Sequence, residues 1–429
     1  MHSDWTLPGC PDRGCVTMPL PQFTRSFPGF EGLGQMKTYD VCIVGAGVVG
    51  CAIARELGRR RRDSPLRIVV LERHERAGEE TSGRNSGVLH SGIHERPFSL
   101  KAQLAQEGSA LAISYALERG IPLLRTGMII AIAWEDVRRG LWREASSLRR
   151  LWFNAWKTKT RVTFVSPSGL RAWEPNLLAC CGIVIPDVSV IDPVAFVQSL
   201  KTDSQATGAD FAFNNRVIGI EAGATSYVVT TDRQRIRAAC LINAAGLHAD
   251  EVAALALHKK DYTIHPLRGE YYELVTPQKK NLIGRLIYPA LPPQATGKGI
   301  HFSPRPNGQI FVGPNAMAVK DKTDYTSRKT PPGVFVQALQ KFLPALEECD
   351  LRWSYSGIRP CVIAADGQKS DFIVAVDCEE PPLINLVGIE SPGLSSALAL
   401  ARYVGALPCL TRRFSPTDTS APAPGNYKC

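Results

Sequence analysis

The period of apolar and polar positions changes several times along the chain, and each change marks an element. Residues 41–44 are continuously apolar and run into Gly45, Gly47 and Gly50, which predicts a buried strand turning into a helix of small residues. A second apolar strand, residues 67–71, ends at Glu72, and residues 73–97 form a loop rich in Gly, Ser, Thr and His. Leu100, Leu104, Leu111, Ala112 and Tyr115 recur at helical spacing and predict a helix over 99–118, followed by a strand over 127–133. Residues 136–160 read as a basic helix, and 193–202 as another with Pro193 at its favoured first position. Strand patterns follow at 216–222, 227–231 and 236–243, the last ending in Ala244-Ala245-Gly246. Residues 263–275 and 299–313 alternate like antiparallel strands, and a helix is expected over 331–346. The chain closes with strand 382–388, a loop over 389–393 and helix 394–407.

This order predicts an α/β fold in which a Rossmann-like domain is assembled from discontinuous segments, with an α+β domain containing a mixed or antiparallel sheet inserted between them. The expected division is 37–98, 186–258 and 350–410 for the first domain and 99–185 and 259–349 for the second. Residues 1–36 are expected to be a flexible extension, with a transit segment as the alternative, and 411–429 a C-terminal tail.

The Gly45-x-Gly47-x-x-Gly50 spacing has the context a dinucleotide needs. The first glycine permits a tight turn, the second lets backbone approach a pyrophosphate, and the third lets helix pack on strand. Helix N–H groups then face the phosphates. Glu72 stands about 20 residues further on, where a carboxylate accepts from ribose hydroxyls.

A net charge of +10 raises the question of nucleic acid, but no zinc spacing, helix-turn-helix or RNP-type strand accompanies it, and no nucleic-acid partner is expected. An acidic small molecule or an anionic membrane suits the charge equally well. The 12 cysteines contain no CxxC pair, and Cys42, Cys51 and Cys240 occupy core-like positions, so free thiols in a reducing compartment and no metal site are expected. No apolar run approaches the ~18 residues of a membrane span. A cytoplasmic protein is expected, peripheral to the inner membrane (mitochondrial in a eukaryote) as the alternative.

Three further segments distinguish the dinucleotides. The polar loop 79–87, the strand end at Ala245-Gly246 and the turn from Gly388 to Gly393 would converge on one long cofactor, as FAD requires. A helix N-terminus in the last of these stabilises negative charge on a reduced flavin. The chain resembles FAD-dependent oxidoreductases of the D-amino-acid oxidase and glycerol-3-phosphate dehydrogenase superfamily, and within it L-2-hydroxyglutarate dehydrogenases. The resemblance rests on SGRNSGVLHSGIH (82–94), LRGEYYEL (267–274), GIHF (299–302), VGPNA (312–316), SGIRP (356–360) and NLVGIESPGLSS (385–396). It spans most of 39–407, and segment 138–175 departs from it.

The resemblance implies FAD as cofactor and a 2-hydroxy acid as substrate, with oxygen or a membrane quinone as electron acceptor. The expected FAD contacts are Gly45, Ala46, Gly47, Gly50, Glu72, Arg73, Thr81, Ser82, Asn85, Ser86, Val217, Ala245, Gly246, Gly388, Pro392, Gly393 and Leu394. Arg359 is the candidate carboxylate fork, because a guanidinium is planar and bidentate. His90 is the candidate base, with His301 and then His94 as competitors. Tyr271 and Arg268 are expected to roof the pocket, and Ser391 to sit where the last helix begins. An amine-oxidising activity on glycine or a D-amino acid, and a non-catalytic FAD protein, are the alternatives. Within the basic helix, Leu141, Ala145, Leu148, Trp152 and Ala155 are expected to pack inward, with Arg139, Arg143, Arg150 and Lys157 opposite. The other reading of that helix is peripheral membrane contact.

Overall fold

The structure is a computed structural model and describes residues 36–60, 65–140, 142–291, 297–365 and 367–414. The expected N-terminal extension (but for Met36) and residues 415–429 of the expected tail lie outside the described residues. The first sheet has eight strands among the described residues, and its parallel part is five of them in the order Pro382–Val387, Arg235–Asn243, Lys37–Val44, Ile68–Leu71 and Asp210–Ala212. The strand Arg235–Asn243 has two partners on one edge. Its first half pairs antiparallel with Tyr227–Thr231 and its last residues pair parallel with Pro382–Val387. The central strands carry buried apolar runs, residues 41–44, Ile68–Leu71 and residues 240–242, because both faces are covered there. Helices Val48–Arg60, Leu100–Arg119, Pro193–Ala206 and Gly393–Gly405 pack into one core, while Ala249–Leu257 contributes to another.

A second sheet of nine strands runs, in order, Met317–Ala318, His265–Leu274, Ile310–Gly313, His301–Pro304, Leu286–Pro289, Met128–Ile132, Cys181–Ile185 and Thr163–Val165. The ninth strand, Leu351–Cys361, pairs along the other edge of His265–Leu274. The sheet is mixed, since Leu286–Pro289 runs parallel to Met128–Ile132.

Two segments sit otherwise than the expected division. Leu351–Cys361 was assigned to the first domain, but it pairs with His265–Leu274 over that strand's whole length and so belongs to the second sheet. Helix Leu100–Arg119 was assigned to the second domain, yet its Leu104, Ala112, Tyr115 and Ala116 join the core under the first sheet. The basic helix is two pieces, Trp134–Arg138 and Trp142–Thr158, with Gly140 left-handed between them at φ +69. Its buried face consists of Leu148, Leu151 and Ala155, and Trp152 points outward. The expected placements of Leu141, Arg143 and Ala145 fall on side chains outside the described set.

Arg268 also lies elsewhere than expected. Register pairs Arg268 with Ile358 and Leu267 with Arg359. Cross-strand partners share a face, so Arg268 and Arg359 point to opposite sides of the sheet. On the far side Arg268 is buried, bonding Asp324 Oδ1 at 2.9 Å and the carbonyls of Asp324, Ser327 and Arg328. Glu270, wholly buried, lies 3.7 Å from it. Arg268→Met is therefore expected to cost about 3 kcal/mol of stability by freeing the loop and stranding Glu270. Thermal unfolding should show a fall of several degrees with kcat/KM little changed; the reverse pattern would return Arg268 to the pocket.

Candidate active site

A cavity of about 670 Å³ lies where the carboxyl ends of the parallel strands meet the second sheet. Ligands of open α/β sheets bind at that edge. At its first end the strand Lys37–Val44 passes into Gly45, whose φ of +103 a side chain would strain. A Cβ on Gly50 would fall 1.9 Å from the Gly45 carbonyl oxygen, so the turn and helix touch backbone to backbone. Glu72 holds the turn by accepting from the Ala46 N–H at 2.8 Å and the His74 N–H at 2.9 Å. Burial raises its pKa, and those two N–H bonds oppose the rise. Ser82 caps the helix by accepting from the Val48 N–H at 2.9 Å.

Most of the expected cofactor residues line this cavity: Gly45, Gly47, Glu72, Thr81, Ser82, Asn85 and Ser86, then Ala245, Gly246, Pro392, Gly393 and Leu394. Asn85 uses its amide inside its own loop, bonding the Thr81 and Ser82 carbonyls and the Gly87 N–H. Five expected residues do not line it. Ala46 and Gly50 lie behind the turn they shape, and Arg73 turns away to pair with Glu80. Val217 pairs with Thr231 in the sheet, and Gly388 packs on Val362.

At the other end the cavity wall is formed by His90, His94, Tyr271, Tyr288, His301 and Arg359. Tyr288 stacks on His301 with ring centroids 3.8 Å apart, and the His94 and His90 rings lie 6.0 and 6.4 Å from it. His301 Nδ1 bonds the Gly299 carbonyl at 2.8 Å. Among the described residues, His90 Nδ1, His94 Nε2, His301 Nε2 and the Tyr288 hydroxyl are buried without a hydrogen-bond partner. Buried polar atoms are rarely left so, and four on one wall mark a surface built for a polar ligand. Tyr271 stacks on Tyr355 at 4.5 Å. The Arg359 guanidinium has neither an ion pair nor a hydrogen bond among the described residues.

The model of the FAD dependent oxidoreductase family, DAO, matches residues 40–407. The chain belongs to this family. A glycerol 3-phosphate dehydrogenase of Caloramator mitchellensis is 28% identical over 85% of this chain and 73% of its own length. A mitochondrial L-2-hydroxyglutarate dehydrogenase of Nematostella vectensis is 30% identical over 87% and 91%. Among solved structures, a dithionite-reduced L-α-glycerophosphate oxidase from Mycoplasma pneumoniae with FAD bound superposes with a TM-score of 0.77 at 29% identity, covering 88% of this chain and 95% of that one.

The residues fit FAD. The Gly45–Gly50 turn and the first turn of Val48–Arg60 suit the pyrophosphate, Glu72 the ribose, and the start of Gly393–Gly405 the flavin ring. The first residues of that helix, Gly393, Leu394 and Ser395, line the cavity, where the positive end of the helix dipole would favour an anionic reduced ring.

Several functional groups here carry no sequence signal. Lys298, half-buried, donates to Ser391 Oγ at 3.2 Å and lies 3.6 Å from Glu95. Burial lowers its pKa, with the Glu95 charge opposing that effect. Arg150 and Ser147 reach the same cavity from helix Trp142–Thr158. Asn154, one turn beyond Arg150, clamps that helix to the histidine loop by bonding the Ile93 and Glu95 carbonyls. Glu390 bridges Lys101 and Lys369 at 3.2 and 3.1 Å. Burial alone would raise its carboxyl, but the two ammonium groups outweigh it and hold it at about 2.

The charged side chains felt by the histidines are cations. Burial lowers His90 and His94 well below the usual imidazole range, and Lys298 lowers both further, joined by Arg359 at His90 and Arg150 at His94. His301 is pushed down to about 3, first by burial and then by Arg359 and Lys298. All three are neutral at physiological pH when folded, whereas an unfolded imidazole protonates below about 6.5. The unfolded chain thus binds more protons in acid, and stability present above about 6.5 is lost as the pH falls, by up to about 1.4 kcal/mol per unit for each group. Urea unfolding should show a lower midpoint at about pH 5.5 than at about pH 7.5, with a shallower dependence in His301→Gln. An unchanged slope in that variant would contradict the assignment.

Proposed function

We propose that the chain oxidises a 2-hydroxy dicarboxylate, L-2-hydroxyglutarate or a near relative, to the 2-oxo acid. The observation that carries this is the Arg359 guanidinium, unpartnered among the described residues on a wall with a surplus of cations. Arg359, Lys298 and Arg150 all reach this end of the cavity; the acids near them are Glu95, beside Lys298, and Glu390, already bridged by Lys101 and Lys369. Arg359 suits the carboxylate next to the reacting carbon, held bidentate. The remaining cations suit a second anionic group. A hydroxyl proton passes to the neutral imidazole of His90, whose Nδ1 has no partner among the described residues, with His301 as the other acceptor on the wall. FAD, when bound, accepts the hydride that leaves the substrate carbon. Tyr271 and Tyr288 cover the site and limit water.

An amino acid fits this wall less well, because its ammonium group would face the same cations. A phosphate ester of a polyol fits the charge as well as a dicarboxylate does, and the similarity to a glycerol 3-phosphate dehydrogenase keeps it in the test. Under anaerobic conditions the flavin band is expected to bleach with L-2-hydroxyglutarate, and not with glycine, D-alanine or glycerol 3-phosphate. Bleaching by glycerol 3-phosphate alone would transfer the assignment to phosphate esters, bleaching by an amino acid alone would assign an amine oxidase, and bleaching by none would support the non-catalytic reading.

A further inference from the structure

Helix Trp142–Thr158 has two faces with different destinations. Its inner face, Leu148, Leu151, Asn154 and Ala155, is buried against the second sheet and the histidine loop. Its outer face repeats at i, i+3, i+4 and i+7 with Arg149, Trp152, Phe153 and Trp156. These aromatics lie open to solvent: Trp152 is 47%, Phe153 48% and Trp156 63% exposed. Phe164, 53% exposed on the edge strand Thr163–Val165, extends the patch, its ring 6.3 Å from Trp152. Single exposed apolar side chains are ordinary, but four large aromatics in one contiguous patch are not. They pack on each other and hold no hydrophobic core.

The charge along the segment that carries the patch is predominantly positive, although Asp187 pairs with Arg161 and Glu135 with Arg139. Segment 138–161 contains eight Lys and Arg and a single acid, Glu144. The Lys157 ammonium lies over the Trp156 ring, 4.6 Å from its centre, and 5.4 Å from that of Phe153. Arg149 and Lys159 have no ion-pair partner among the described residues. Exposed tryptophan and phenylalanine ringed by unpaired cations suit a planar anionic surface with an apolar interior, because tryptophan favours the headgroup level. A protein partner would need a matching acidic rim around an aromatic pocket.

We propose that the stripe Arg149, Trp152, Phe153, Trp156 and Lys157, with Phe164, is a docking surface for an anionic lipid bilayer. The three aromatics on the helix enter the headgroup region, and the cations meet lipid phosphates. Docking would set the opposite, cavity-lining face of the same helix (Ser147, Arg150, Leu151) about one helix diameter, roughly 10 Å, from the lipid. The surface is thus coupled to the cavity wall by a single rigid element.

The test uses the full-length holoenzyme with vesicles of phosphatidylcholine, with and without phosphatidylglycerol, at low salt. The wild type is expected to sediment with the anionic vesicles and not with the neutral ones, and added salt should release it. Brominated lipid should quench its tryptophan fluorescence. The triple variant Trp152→Ser, Phe153→Ser, Trp156→Ser and the double variant Arg149→Glu, Lys157→Glu should each lower vesicle binding about tenfold or more. Both should keep wild-type flavin content and melting temperature, since no altered side chain is part of the core or of the cavity. Absence of sedimentation at low salt would overturn the proposal, as would binding undiminished in both variants. A wild-type dimer that the triple variant disperses, without vesicle binding, would make the patch a protein–protein contact instead.

Discussion

Replacing Arg359 by methionine is expected to lower kcat/KM for a 2-hydroxy dicarboxylate about a thousandfold, or ~4 kcal/mol of transition-state binding. The magnitude follows from where the guanidinium stands. It comes from Leu351–Cys361, is partly buried on the cavity wall, and makes no ion pair among the described residues, the Glu390 carboxylate that feels its charge being bonded instead to Lys101 and Lys369. A substrate carboxylate is then its main counter-charge, held by two parallel N–H···O bonds that lysine cannot reproduce. Arg359→Lys should recover only part of the loss. Flavin content should be unchanged in both, because the residue is far along the cavity from Gly45 and Glu72. Stopped-flow reduction by L-2-hydroxyglutarate reads the effect directly, and a loss below about tenfold would remove Arg359 from the carboxylate site.

Placing a methyl group at Gly50 is expected to abolish FAD binding. The added Cβ would fall 1.9 Å from the Gly45 carbonyl oxygen, a backbone atom that cannot swing aside, so the turn itself must move. That turn sets the spacing between the strand Lys37–Val44, the helix Val48–Arg60 and the Glu72 carboxylate bonded to the Ala46 N–H. Gly50→Ala should purify without flavin colour, and added FAD should no longer raise its melting temperature. Gly47→Ala is the milder companion. Its Cβ would meet only the Ser82 hydroxyl, at 3.0 Å, so the fold should survive with FAD held more weakly. A yellow Gly50→Ala with wild-type flavin content would show that the close contact is not required.

These two positions differ in how they could be read. Gly50 was legible from spacing alone, because the strand, the turn and the helix are consecutive in the chain and each follows local rules of backbone conformation. The same holds for Glu72, for the parallel strands and for most helices. Arg268 was legible on a strand and Arg359 within its SGIRP motif, but not which of them faces the cavity. That depends on a register between Leu351–Cys361 and His265–Leu274, where an offset of one residue exchanges the two faces. Trp152 shows the same gap on a helix. Period placed it with Leu148 and Ala155, whereas the face that packs is fixed by Leu151 and by Asn154 bonding the histidine loop. Lys298 and Tyr288 carried no local signal at all. They matter because they are brought against His301 and Ser391 from elsewhere in the chain.

The sequence by itself determined the glycine turn, the acid that bonds it, most strands of the first sheet, most helices and the family they belong to, since each depends on neighbours within a few residues or on a motif of fixed spacing. Tertiary structure alone decided that Leu351–Cys361 joins the second sheet and that helix Leu100–Arg119 lies under the first. It also turned Arg359 inward and Arg268 outward, and left three buried imidazoles without a positive charge. Those outcomes depend on pairing register and on desolvation, and both arise only when segments distant in sequence close on one another.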